Sequence, residues 1–133
     1  MINLFKDVLR PIYHFITRKN EREFSKLLSK WNKHERYKLV KDVKFLDFIF
    51  DVPDLASFLG QFKELFVDEV YKFNNDSDSP IIIDCGANIG TSCLYFKTLY
   101  PRSEITAFEA DEKMANILTS NLKKNNINDI KVI

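Results

Sequence analysis

Residues 80–111 read PIIIDCGANIGTSCLYFKTLYPRSEITAFEAD. Ile81-Ile82-Ile83 is a short β-branched run of the kind expected for a parallel strand buried on both faces. Asp84-Cys85-Gly86-Ala87-Asn88-Ile89-Gly90 follows as a turn that holds two of the chain's 3 glycines. A helix is expected from about Ile89 to Tyr100, stopped by Pro101, and then a strand from Glu104 to Glu109. Strand, glycine turn, helix and acid-ended strand open a doubly wound sheet, which binds ligands beyond the carboxyl ends of its strands.

Downstream, Asp111 is placed to cap a helix from Glu112 to about Asn125, with Met114, Ile117, Leu118 and Leu122 on one side. Asn125-Asn126 supplies a stop, and Ile130 to Ile133 begin a third strand. The fold class is therefore α/β: the first βαβαβ half of a Rossmann-like sheet with right-handed crossovers.

Upstream, Leu4, Val8, Ile12 and Ile16 recur at helical spacing, interrupted by Pro11. Residues 20–33 predict a second helix with Asn20 as N-cap and Phe24, Leu27, Leu28 and Trp31 on one face. Tyr37–Val40 and Val43–Phe50 predict a β-hairpin with Lys41-Asp42 as its turn. Pro53 ends the second strand. Asp54 caps a helix carrying Leu55, Phe58, Leu59 and Phe62, and the amphipathic pattern continues to about Phe73. A polar connector, 74–79, leads into Pro80. Three segments result: a basic helical arm (1–43), a hairpin strand and helical lead-in (44–79), and a partial cofactor-binding domain (80–133).

At 133 residues one domain is expected, with 12 Phe and 5 Tyr to fill a core. The net charge of +1 conceals an asymmetry, about +7 over residues 1–44 and −6 over the remainder. The plain reading is solvated helix faces; a basic arm can also dock on the acidic part or make a peripheral contact with anionic lipid. Cys85 and Cys93 fit no zinc or redox spacing, and His14 and His34 lack a second ligand, so no metal site is expected. No stretch of ~18 apolar residues is present, and charges at Lys6, Asp7 and Arg10 spoil a signal peptide. The expectation is a cytoplasmic protein, with no nucleic-acid partner.

The glycine spacing is Gly-x-x-x-Gly, so the dinucleotide fingerprint is absent, and no Lys-Ser/Thr pair follows to cradle phosphate. A pyrophosphate ligand is disfavoured. S-adenosylmethionine carries no phosphate and suits the remaining groups. Asp84 matches its cationic end. The helix N-terminus beyond Gly90, with Thr91 and Ser92, offers N–H groups to its carboxylate. Glu109 can accept both ribose hydroxyls. Asp111 lies near the expected adenosine or simply caps its helix, and Asn88 either contacts the ligand or tolerates a left-handed turn.

At these residues the chain resembles the FkbM family of S-adenosylmethionine-dependent methyltransferases. IIIDCGANIGTSCLYFKTLYP and ITAFEAD look like that family's first and second cofactor motifs, and VPDLASFLGQFKELFVDEVYKF looks like the segment before them. The resemblance spans roughly Lys44 to Ile133. It implies a class I methyltransferase sheet and methyl transfer to a hydroxyl oxygen of a sugar, glycan or small molecule. The cofactor-binding set is then Asp84, Gly86, Ala87, Asn88, Gly90, Glu109, Ala110 and Asp111; no catalytic base is identified. Family members continue through later strands that build the acceptor pocket. The expectation is an N-terminal portion, inactive alone, with an open apolar edge on its first strand that a dimer or complementing chain could cover.

Overall fold

The computed structural model describes residues 18–31 and 33–133; readings that fall on residues 1–17, including the Pro11 break and His14, lie outside them. Helix α1 covers 18–31. It is followed by strands β1 (Val40–Phe45) and β2 (Phe48–Val52), helix α2 (Leu55–Phe62) and a π-helical turn (Lys63–Val67). The remainder alternates as β3 (Ile81–Cys85), α3 (Thr91–Leu99), β4 (Glu104–Phe108), α4 (Glu112–Lys124) and β5 (Ile130–Val132).

Strands β3, β4 and β5 form a parallel sheet in that order, with Ile82 opposite Ile105 and Ala107 opposite Val132. This is the α/β arrangement that the glycine-turn stretch predicts. One expectation fails within it. Ile82 is buried, but Ile81 is 79% and Ile83 66% exposed, so β3 is covered on one face rather than two. Strands laid down in sequence order by right-handed crossovers receive both connecting helices on the same side. The open side carries Ile81 and Ile83 beside Thr106 and Phe108, and β3 is an edge strand among the described residues.

Phenylalanines join the lead-in to this unit. Phe45, Phe50, Phe58, Phe62 and Phe66 are almost fully buried. Ring centroids lie 4.9 Å apart for Phe45 and Phe58, 5.0 Å for Phe62 and Phe66, and 5.2 Å for Phe66 and Tyr95 of α3. Aromatic pairs at such separations add about 1 kcal/mol each beyond their buried area. One core therefore runs from the hairpin through α2 into the α3 layer.

Two asparagines close the other seam. Asn121 Oδ1 accepts from the Asp51 N–H (2.7 Å) and its Nδ2 donates to the Asp51 carbonyl (3.1 Å). Asn125 pairs in the same way with Ile49, at 2.9 Å for both bonds. Four residues along a helix rise about 6 Å, close to the two-residue step of a strand. The two carboxamides thus stand in for a neighbouring strand along the outer edge of β2.

Local readings shift in four places. Asn20 is not an N-cap: it lies inside α1, and its Nδ2 donates to the Phe66 carbonyl (2.8 Å), tying α1 to the π-helical turn. The hairpin turn falls at Leu46-Asp47, because Lys41-Asp42 is absorbed into β1 as an irregularity. The register slips between Val40 and Val43, Asp42 adopts φ +55°, and its N–H donates to Asp51 Oδ1. Asp54 occupies the N-cap of α2 without capping by its side chain, since Arg36 and Ser57 take its carboxylate. The helical lead-in stops at Val67 rather than Phe73. Beyond it Tyr71 stacks on Phe96 and Phe73 on Tyr100, so aromatic contacts with α3 replace helical continuation.

Candidate functional site

The turn between β3 and α3 is built on backbone conformations that suit few residues. Gly86 has φ +85° and Gly90 φ +93°, both in the left-handed region. Asn88 between them has φ +50°, as asparagine tolerates better than most side chains. The Gly86 and Ala87 N–H groups both donate to the Phe108 carbonyl, at 2.8 and 3.0 Å. Those bonds clamp the turn to the end of β4 and bury Ala87 beneath it.

Glu109 follows at once and completes the clamp. Its Oε2 accepts from the Asn88 N–H (2.8 Å) and its Oε1 from the Asp111 N–H (2.9 Å). Each carboxylate oxygen has a second acceptor direction. The group is thereby held in place with capacity for two further donors, as a ribose diol would supply. Asp111 Oδ1 accepts from the Met114 N–H (3.0 Å), which is the helix-capping role. Ala110 is exposed between the two acids.

Asp84 is buried at the end of β3. Its Oδ2 accepts from Ser92 Oγ (2.5 Å) and from Cys93 Sγ (3.5 Å). Oδ1 carries no hydrogen bond among the described residues and remains open to a ligand. Burial, reinforced by the neighbouring Asp84 charge, pushes the Cys93 thiol far above its ordinary pKa. Cys93 is a packed thiol and not a nucleophile. Gly90 is the N-cap of α3 and has no side chain to satisfy the first-turn N–H groups. First-turn N–H groups without a cap are commonly satisfied by an anion or by water.

Two cavities meet this turn. One, of about 130 Å³, is bounded by Asp84, Gly86, Asn88 and Ser92 on the turn and by Gln61 and Glu64 from the lead-in. The other, of about 270 Å³, lies past Asn88 and is lined by Tyr37, Ser57, Gln61, Lys113 and Met114. The turn, Asp84 and Glu109 come together as the sequence pattern requires. Gln61 and Glu64 were not identifiable in that pattern, since in an amphipathic helix they read as ordinary solvated positions. Among the described residues no three His, Cys, Asp or Glu side chains group to hold a metal ion, and no helix is long and apolar enough to cross a membrane.

No family model matches the chain. It is 42% identical over 64 residues to methyltransferase sdnD of Sordaria araneosa, covering 48% of this chain and 25% of that protein. It is 35% identical over 69 residues to methyltransferase 1 of Beauveria bassiana, covering 52% and 28%. The chain thus spans about a quarter of the length of these relatives. Among solved structures, coclaurine N-methyltransferase bound to N-methylheliamine and SAH superposes over 98% of this chain and 42% of its own, at 12% identity and a TM-score of 0.43.

Proposed function

We propose that this chain is the cofactor-binding part of an S-adenosylmethionine-dependent methyltransferase of the FkbM type, acting on a hydroxyl oxygen of a sugar, glycan or small molecule. The observation that carries the reading is the clamp around Glu109. A carboxylate fixed by the glycine turn, with two acceptor directions left over, fits a ribose diol beside a site without phosphate chemistry. The methyltransferase relatives support the same class. Asp84, Gly86, Ala87, Asn88 and Gly90 would surround the methionine end, and Glu109, Ala110 and Asp111 the adenosine.

S-adenosylmethionine, when bound, supplies an electrophilic methyl group on a sulfonium. This chain's residues bind and orient it, and positioning of that kind accounts for much of the rate in such displacements. Among the described residues no side chain is placed as a general base for the acceptor. The crevice beyond β3 has one wall here, so we expect methyl transfer to need further polypeptide. Calorimetric titration with S-adenosylhomocysteine tests the reading: saturable binding that is lost in Glu109→Ala is expected, and no heat from a folded sample would remove it.

A second reading is favoured by the bare face and open edge of β3, namely a non-catalytic nucleoside-binding module completed by a second chain. Sedimentation with and without S-adenosylhomocysteine separates the two. A monomer that binds ligand supports the first, and assembly required for binding supports the second.

A further inference from the structure

The smaller cavity has a wall that the glycine turn does not supply. Gln61, at the end of α2, and Glu64, in the π-helical turn, border it together with Asp84 and Ser92. The π-helical turn contributes Glu64 and Leu65 to its lining. The Asp68 N–H donates to the Lys63 carbonyl (2.9 Å), five residues back instead of four, and the Val70 N–H to that of Glu64 (3.1 Å). Within the widened turn Leu65 and Phe66 are buried, while Glu64 stays exposed at the cavity rim. Such turns are rare and are frequently found at functional sites. Burial of the phenylalanines does not call for one here, since Phe58, Phe62 and Phe66 recur at the four-residue step of an ordinary α-helix.

The charges around this cavity have one sign. Asp84 and Glu64 are its ionisable carboxylates, and no Lys or Arg lines it. Asp84 Oδ1 is open, and Glu64 makes no side-chain hydrogen bond among the described residues. A cation with several donors fits between two such groups, each charge-assisted bond being stronger than a neutral one. The uncapped start of α3, whose Ser92 borders the cavity, suits an anion. A site for a cation beside a site for an anion suits the zwitterionic end of an α-amino acid.

We propose that Glu64, with Asp84, holds the α-ammonium of the cofactor's amino-acid end, so that the helical lead-in fixes the methionine half of the ligand. The proposal rests on the methyl-donor reading of the site and extends it to a residue outside the glycine turn. Glu64 positions the ligand and takes no part in bond making. Gln61, which borders both cavities, lies where the two halves of the ligand would join.

The test compares two ligands on the full chain by calorimetry. S-adenosylhomocysteine carries the amino-acid end, and 5′-methylthioadenosine lacks it. Glu64→Gln is expected to weaken S-adenosylhomocysteine about tenfold, the scale of one lost charge-assisted hydrogen bond, and to leave 5′-methylthioadenosine unchanged. Glu109→Ala is expected to weaken both. Unchanged S-adenosylhomocysteine affinity in Glu64→Gln overturns the proposal while the methyl-donor reading stands. Equal losses for both ligands in that variant also overturn it, because the effect is then not confined to the amino-acid end. Failure of the wild-type chain to bind S-adenosylhomocysteine removes both.

Discussion

Replacing Glu109 by glutamine exchanges one acceptor oxygen for an NH₂ group that must face a backbone N–H, either that of Asn88 or that of Asp111. The variant is therefore expected to lose stability as well as ligand. A half-buried acceptor turned donor costs about 1 kcal/mol, readable as a lower urea midpoint without ligand. An unchanged midpoint would mean that the clamp contributes nothing to the fold. Gly90→Ala makes a related point. A Cβ there would sit 3.5 Å from Leu118 Cγ, which is ordinary contact, so the constraint is the backbone at φ +93°. The expected loss is about 1–2 kcal/mol by urea unfolding, the cost of an L-residue in the left-handed region. Gly90 was legible in the sequence because glycine is scarce in the chain and each use of it stands out, and Glu109 because it ends the second strand of the unit. Glu64 was not, since a carboxylate in an amphipathic helix carries no mark of the cavity it borders.

Elements were easier to place than the contacts between them. The glycine turn and Pro101 located α3, and the period of apolar residues α4, to within about two residues, while the apolar pattern after α2 overran its end; Asp111 was read correctly as a cap. Seams depend on side chains meeting across long sequence separations. Asn125 looked like a helix stop, while its carboxamide and that of Asn121 bond β2. Asn121 also donates to the Ile89 carbonyl (3.0 Å) and is fully buried. Asn121→Leu strands several buried polar groups at once and is expected to cost about 3 kcal/mol by urea unfolding, at about 1–3 kcal/mol per orphaned group. A loss below 1 kcal/mol would mean that the seam rests on the phenylalanines alone.

The clamp of Arg36 on Asp54, at 2.7 Å, joins the approach to β1 to the start of α2. The Arg36 hydrogen bonds hold the Asp54 carboxyl down at about 2, against the opposing effect of its burial, with Ser57 assisting. A depressed folded-state pKa stabilises above the unfolded value of about 3.9. That contribution is complete above roughly pH 4 and fades as the pH falls towards 2. The stability difference between wild type and Arg36→Ala should accordingly shrink across that window, as followed by urea titrations at each pH. A constant difference would mean that the pair adds packing and no charge coupling.

Across the whole molecule, the open sheet face governs behaviour in solution. Ile83→Lys replaces a side chain 66% exposed. It should alter unfolding free energy by about 0.5 kcal/mol or less, and reduce any self-association seen by sedimentation. A large destabilisation would mean that the face is covered. The expectation of a strand buried twice over came from its three consecutive isoleucines. Composition tells how much apolar surface a strand carries, but not how much of its cover lies within the same 133 residues.

The asparagine seam has a kinetic corollary. The amide protons of Ile49 and Asp51 are held by Asn125, the C-cap of α4, and Asn121 within it, 76 and 70 positions later in the chain. Their exchange with deuterium therefore reports on α4 and not on the hairpin that contains them. If the lead-in and the sheet unit open together, both protons exchange at the rate of the global transition. If the hairpin can swing away while the sheet persists, they exchange early, ahead of the strand protons of β4. Two amides thus time the separation of the two halves, and binding of a ligand at the turn, 32 residues from Asn121 through the Ile89 carbonyl, should slow them both.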